Sequence, residues 1–214
     1  LPKIRRVPPR VYDIFSGPEL AAIVNAARTS PVLPMVNWVR ALLLTETGMR
    51  AGGALNLRVR DVNLYTREVL LREKGDKERL VPIEAEVIQP FDHYLLTEYP
   101  LLGREPAPDD YLWFPRTANG TGLTGLDPSQ PVCYSTFWNW WEEILVRADV
   151  RYRKPHMSRH TYATNVLDAT GGNRYQAQML LGHVNPATTD QYLHSSSLHM
   201  RQAVKDLQTF RGRG

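Results

Sequence analysis

The stretch REVLLREKGDKERLVPI, residues 67–83, decides the fold. Two short runs rich in apolar residues, REVLLRE and ERLVPI, flank KGDK, whose glycine suits a tight turn. This arrangement predicts a β-hairpin. Because the segments on both sides follow the helical period instead, we expect a mainly α-helical chain with a small antiparallel β-sheet, an α+β fold.

Two helices and a short third one are predicted before the hairpin. Ser16 can cap the first, and Pro18 suits its first turn. The second covers about residues 35–46 and stops at Gly48, a residue typical of helix ends. A short helix over 53–57 then leads into the hairpin.

The pattern after the hairpin is again mostly helical. A helix is expected over about 84–97, followed by a loop rich in proline and glycine around a short strand, YLWF, at 111–114. Ser135 is predicted to cap an aromatic helix over 136–148, whose rings we expect in the core. Two or three further helices finish the chain, the last around 198–210.

Composition excludes several classes of protein. The chain has 214 residues, of which 43% are hydrophobic and 22% charged, as in ordinary globular proteins. Since no apolar run approaches the roughly 20 residues of a membrane span, no membrane association is expected. A single cysteine, Cys133, excludes a disulfide scaffold, and a cytoplasmic location is the expectation. Residues 1–10 contain four basic residues and no acidic one, and are predicted to form a proline-stiffened linker or arm.

The segment KPHMSRHTYAT, residues 154–164, contains the most conspicuous polar pattern. His156 and His160 are four residues apart and would share a helix face, as two zinc ligands could. A catalytic zinc helix needs a glutamate after the first histidine, and that position is Met157. The planar fork of Arg159 is instead suited to a phosphate, so the pattern favours phosphate over metal.

Four motifs come one after another in a characteristic order. They are TETGMRAGGALNLRVRDVNL at 45–64, EKGDKERLVPI at 73–83, HMSRHTYAT at 156–164 and LLGHVNPATTDQYLH at 180–194. Any one of them is a weak signal, but together they resemble the catalytic domain of the tyrosine recombinases, the phage-integrase-like family. The resemblance covers about residues 10–210 and implies that family's catalytic-domain fold.

The resemblance also implies a set of catalytic residues at matching motif positions. These are Arg50, Lys74, His156, Arg159, His183 and Tyr192. The two arginines would clamp the scissile phosphate, and the two histidines would hydrogen-bond its oxygens. Lys74, with Lys77 as the alternative in the same turn, would protonate the leaving 5′-oxygen. Tyr192 would be the nucleophile.

The activity implied by the resemblance is site-specific recombination or integration of double-stranded DNA. Strands would be cut and rejoined through a 3′-phosphotyrosine on Tyr192, with no metal ion, cofactor or ATP. DNA relaxation like that of type IB topoisomerases and a DNA-binding regulator that does not cut remain open as alternatives. The expected assembly is a homotetramer on paired DNA sites, joined through the C-terminal segment 195–214, with a monomer as the alternative without DNA. Residues 11–214 would form one catalytic domain associated with the nucleoid, and the family's N-terminal core-binding domain is expected to be absent.

Two positions depart from the family pattern. Gly53 stands where an acidic residue usually orients the first arginine, and Glu46, one turn earlier, could substitute for it. Ser158 replaces an apolar residue before the second arginine and could either loosen packing or add a hydrogen bond.

Other polar residues near the motifs are expected to have supporting or structural roles. His160 is expected to support the site from behind. The tyrosines Tyr162 and Tyr175 are predicted to be packing residues, and Arg58, Arg60 and Arg79 to be DNA-backbone contacts or surface charges.

Overall fold

A three-stranded antiparallel sheet in the order β1-β2-β3 is built around the predicted hairpin. The computed structural model describes residues 12–73, 77–115 and 125–181. Strands β2 (Glu68–Glu73) and β3 (Lys77–Pro82) pair in a register that places Leu70 opposite Leu80. The hairpin is therefore confirmed, and a two-residue strand β1 (Val62–Asn63), which the sequence pattern does not predict, pairs with β2.

Seven α-helices occupy most of the rest of the described ranges. They are α1 (Gly17–Arg28), α2 (Pro34–Glu46), α3 (Ala51–Leu55), α4 (Ala85–His93), α5 (Tyr134–Arg147), α6 (His156–Ala169) and α7 (Arg174–Leu181). The mainly α-helical class with a small antiparallel sheet is confirmed. None of the helices within those ranges has the length and apolar character that crossing a membrane requires.

The central element is α2, which packs against α1, α4 and α6. Most of its residues are buried, among them the leucine run 42–44 and the polar side chains Arg40 and Thr45. Its N-cap, Leu33, supplies no side-chain cap. The buried carboxylate of Glu98 does so instead, accepting hydrogen bonds from the backbone N–H of Met35 (2.6 Å) and Val36 (3.0 Å). A non-local contact therefore fixes the start of the helix that leads to Gly48.

Several local predictions hold. Ser16 caps α1 in a capping box with Glu19, as its position suggested. The aromatic helix α5 buries Phe137 and Trp141 in the core, although Trp138 lies at the surface against Tyr152.

Other local predictions were wrong. Cys133, with an extended backbone (φ −75°, ψ 159°), is the N-cap of α5, so Ser135 lies inside the first turn. The YLWF segment forms no strand: a single antiparallel bridge joins Tyr111 to Arg58, and the next aromatic residues, Trp113 and Phe114, turn into the core. Burial of these rings outweighs the strand preference of the segment.

Helix boundaries differ by a few residues elsewhere. The short third helix begins at Ala51 rather than 53, because Arg50 already has the extended backbone of an N-cap. The helix predicted over 84–97 is α4 followed by a π-helical turn, Tyr94–Glu98, and a 3₁₀ turn, Tyr99–Leu102. The predicted arm 1–10, the helix near 198–210 and the C-terminal segment 195–214 lie outside the described residues.

Candidate active site

The turn between α2 and α3 carries the first motif. Gly48 has a positive φ of 58°, which favours glycine, and reverses the chain so that Arg50 becomes the N-cap of α3. The ring of Tyr162 on α6 lies directly over Gly48, and a Cβ added there would overlap the ring carbon Cδ1. Both the backbone conformation and the space at this position therefore require glycine.

Arg159 on α6 connects this turn to the end of α7. Its side chain is 1% exposed, and Nη1 donates to the carbonyl oxygen of Gly48 at 2.6 Å. Nη2 donates to the carbonyl oxygen of Leu181, the last residue of α7, also at 2.6 Å. The guanidinium is therefore oriented by backbone carbonyl groups of the first and fourth motifs.

The structure brings together three of the six predicted catalytic residues, Arg50, His156 and Arg159. His156 is the first residue of α6 and is exposed at the surface. Neighbouring protein atoms still shield its imidazole in part from water. This desolvation, and then the positive charges of Arg159 and Arg50, lower its pKa below the ordinary value. The other three, Lys74, His183 and Tyr192, lie outside the described residues.

A third arginine in the cluster is Arg79 on β3, for which the sequence predicted a surface position or a DNA contact. It is half-buried instead and donates to the carbonyl oxygens of Leu180, Thr47 (3.2 Å) and Gly48 (3.4 Å). Desolvation, with the neighbouring charges of Arg159 and Arg50, lowers its pKa to about 9. A usable signal was present in the sequence, because alternation along a strand puts residue 79 on the same face as the buried Val81.

His160, predicted to support the site, contacts His156 and Tyr12. Its ring stacks on Tyr12 with centroids 3.9 Å apart and meets His156 edge to face at 4.6 Å. Desolvation, followed by the charges of His156 and Arg159, lowers its pKa to about 4.

Within the described ranges, no group of three or more histidine, cysteine or acidic side chains is placed to hold a metal ion.

The buried imidazole predicts a specific loss of stability in acid. His160 has a pKa of about 4 in the folded chain against 6.5 ordinarily, so the unfolded state binds the proton more tightly. The free energy of unfolding should fall as the pH drops from about 6.5 towards 4, with a loss of about 2 kcal/mol at pH 5 from this residue. Urea titrations at pH 7.5 and pH 5 measure the loss. His160→Phe keeps a ring against Tyr12 but cannot be protonated, so it should lose less stability than the wild type. Equal losses in the two proteins would contradict the prediction.

The two departures from the family pattern have structural explanations. A Cβ on Gly53 would lie 3.2 Å from the backbone oxygen of Arg72 on β2, a tight contact that an acidic residue there could make only if the backbone gave way by a few tenths of an ångström. Glu46, the suggested substitute, accepts a hydrogen bond from Thr45 (3.2 Å) and lines a cleft with two further acidic residues of the α4 N-terminal region. Ser158 is buried and donates to the carbonyl oxygen of Pro155 at 2.7 Å, so it adds a hydrogen bond at the start of α6.

Comparison with known proteins places this geometry in context. The model of the phage integrase family matches residues 15–199. The tyrosine recombinase XerD of Yersinia pestis is 31% identical over 202 residues, covering 92% of this chain and 62% of that protein. The crystal structure of XerA recombinase superposes with a TM-score of 0.70 at 27% identity, over 93% of this chain and 66% of that one.

A further solved structure shares the fold at lower identity. The XerH site-specific recombinase bound to its palindromic difH substrate gives a TM-score of 0.69 at 22% identity, over 93% of this chain and 54% of that one. The chain spans about three fifths of the length of the curated relatives that it matches. The family match over most of the chain, the shared fold and the clustering of Arg50, His156 and Arg159 lead to one conclusion: this chain belongs to the phage integrase family.

Proposed function

We propose that the chain is the DNA-cutting part of a site-specific tyrosine recombinase, which breaks and rejoins double-stranded DNA through a 3′-phosphotyrosine on Tyr192. The observation that carries the proposal is that Arg50 lies close to His156 and Arg159, although more than a hundred residues of sequence separate Arg50 from the other two. A phosphodiester group is a ligand suited to such a cluster, because guanidinium forks match its oxygens and an imidazole can donate a hydrogen bond to it.

The residue types fit the chemistry of a phosphodiester exchange. A tyrosine hydroxyl has an ordinary pKa near 10, and nearby cations favour the phenolate that attacks phosphorus. The phenolic proton of Tyr192 passes to solvent as the phenolate forms. As the O–P bond to Tyr192 then forms, the bond from phosphorus to the 5′-oxygen breaks, and that oxygen takes a proton, in our proposal from Lys74. The guanidiniums stabilise the additional negative charge of the transition state. One phosphodiester replaces another, so the step is reversible by a 5′-hydroxyl of a second strand.

The protonation state of His156 suits a role at the phosphate. Its lowered pKa keeps the ring neutral at pH 7, so that it can donate one hydrogen bond and accept another. Arg159, in contrast, is almost completely buried among backbone carbonyls. In our proposal a phosphate oxygen replaces one of these carbonyl contacts, while the hydrogen bonds of Arg79 keep α7 and the Gly48 turn in place.

The partner that this chemistry implies is double-stranded DNA. Support comes from the XerH relative, whose solved structure holds its difH substrate. A homotetramer joined through residues 195–214 is part of the proposal, and the oligomeric state on DNA measured by analytical ultracentrifugation tests it. A tetramer on paired sites that is lost when residues 195–214 are removed is the expected result.

A nicked suicide substrate tests the central step. The target is a duplex selected from a random pool by binding to the protein. A nick is placed just beyond the cleavage position, so that cleavage releases a short fragment carrying the free 5′-hydroxyl. That fragment diffuses away and cannot reverse the reaction. We expect a covalent protein–DNA complex that survives detergent, forms in EDTA and maps to the peptide containing Tyr192. Binding without any covalent complex would support the regulator instead. Relaxation of a supercoiled plasmid that carries a single site, without strand exchange, would support the topoisomerase-like alternative.

A further inference from the structure

We infer that Arg79 is a positioning residue for the cleavage reaction, forming with Arg159 a two-arginine clamp that holds the Gly48 turn against the last turn of α7. The clamp consists of these two side chains and the carbonyl groups of Gly48, Leu180 and Leu181. The expected effect of the clamp on DNA cleavage rests on the proposed function. The hydrogen bonds that form the clamp do not.

The clamp connects all four motif segments. Arg79 belongs to the hairpin motif and donates both to the Gly48 turn, which leads to Arg50, and to Leu180 in α7. Arg159 belongs to α6 and reaches the same turn and the adjacent Leu181. Each guanidinium therefore spans the gap between the turn and α7, and the shared acceptor, Gly48, joins the two bridges.

The carbonyl groups at the end of α7 explain why cations are placed there. The helix dipole makes the C-terminal side of an α-helix negative. Two guanidiniums donate to the carbonyl oxygens of Leu180 and Leu181, on that side of α7, and match the sign of the dipole. The two side chains lie together despite their like charges. Desolvation, and then the charge of Arg159, lower the pKa of Arg79.

The position of α7 matters because two of the predicted catalytic residues come soon after it in the chain. His183 is two residues beyond Leu181, and Tyr192 is eleven residues beyond it. Holding the end of α7 fixes the point from which the segment carrying the nucleophile departs. A displacement of about 1 Å at a reacting group can reduce a rate by about 100-fold, so a loosened clamp should slow cleavage without weakening DNA binding.

The first test uses the free protein and does not depend on DNA. In Arg79→Met, amide hydrogen exchange of the peptide spanning 174–181 should be faster than in the wild type. Arg79→Lys keeps the charge but loses the fork, so it should show an intermediate rate. The matched control is Arg60→Met, which removes an exposed arginine paired with Asp109 and should leave exchange in α7 unchanged. Unchanged exchange in both Arg79 variants would overturn the clamp.

The second test separates positioning from phosphate binding. With saturating suicide substrate, single-turnover cleavage by Arg79→Met should be about 10- to 100-fold slower, while Kd changes by less than about 3-fold. If Arg79 contacted a DNA phosphate instead, cleavage at saturation would be normal, affinity would fall, and the salt dependence of binding would lose about one charge. That result would overturn the inference. Failure of the wild type to cleave would count against the proposed function alone, since hydrogen exchange still decides whether the clamp exists.

Discussion

Tyr192→Phe is expected to lose the covalent DNA complex entirely, a decrease of roughly 10⁴-fold or more in the rate of cleavage. Phenylalanine lacks the oxygen that forms the bond to phosphorus, and a neighbouring group cannot replace an atom that becomes part of the intermediate. Affinity for the uncut duplex should change little, because one hydroxyl is lost from a large charged interface. The measurement is the fraction of labelled suicide substrate trapped with time, alongside Kd for the intact duplex.

Two other tyrosines provide matched controls for the same substitution. Tyr162→Phe retains the ring that covers Gly48. Tyr175→Phe changes a side chain that is 71% exposed, so the packing role predicted for Tyr175 was wrong. Both variants should trap DNA at rates near that of the wild type. Trapping by Tyr192→Phe, or its loss in Tyr162→Phe, would show that the nucleophile has been assigned to the wrong residue.

Gly48→Ala should have the largest effect on stability, lowering the free energy of unfolding by about 2–5 kcal/mol. The positive φ of 58° costs an alanine about 1–2 kcal/mol, and the overlap of its Cβ with the Tyr162 ring adds about 1–3 kcal/mol. Since Arg159 and Arg79 both donate to the carbonyl oxygen of this residue, cleavage should slow as well. Urea denaturation, with the midpoint and slope fitted together, measures the change in stability.

Other glycines separate the two contributions. Gly103 has a φ of 76° with open space around it, so Gly103→Ala should cost only the conformational part, about 1–2 kcal/mol. Gly52 lies in α3, also in open space, and Gly52→Ala should stabilise the chain by up to about 1 kcal/mol through helix propensity. If Gly48→Ala lowered the free energy of unfolding no more than Gly103→Ala does, the overlap with Tyr162 would contribute nothing to the loss of stability.

Elements whose signals are local were predictable from the sequence. The hairpin depends on alternation and a glycine turn, and α1 depends on a serine and a glutamate three residues apart. Each of these signals lies within a few residues of the structure that it specifies. The phosphate-binding interpretation of residues 154–164 also uses a local signal, the residue types that zinc and phosphate require, and it stays a prediction.

Features that depend on distant parts of the chain were missed. Strand formation by the YLWF segment was wrong because burial of Trp113 and Phe114 determines its path. The N-terminus of α2 is capped by Glu98, which comes 63 residues after its hydrogen-bond partner Met35 in the sequence. Neither a helix-capping pattern nor a strand pattern extends over such a separation.

The sequence by itself determined which residue types are available for the reaction and which local elements carry them. Only the tertiary structure decided how these residues are oriented. It placed Arg79 inward beside Arg159 through a hydrogen bond to Leu180, 101 residues away, and it closed the space beside Gly53 with the backbone of β2. The reason is physical: periodicity and capping act over one or two turns, whereas the placement of a buried guanidinium depends on backbone carbonyls that only folding brings within its reach.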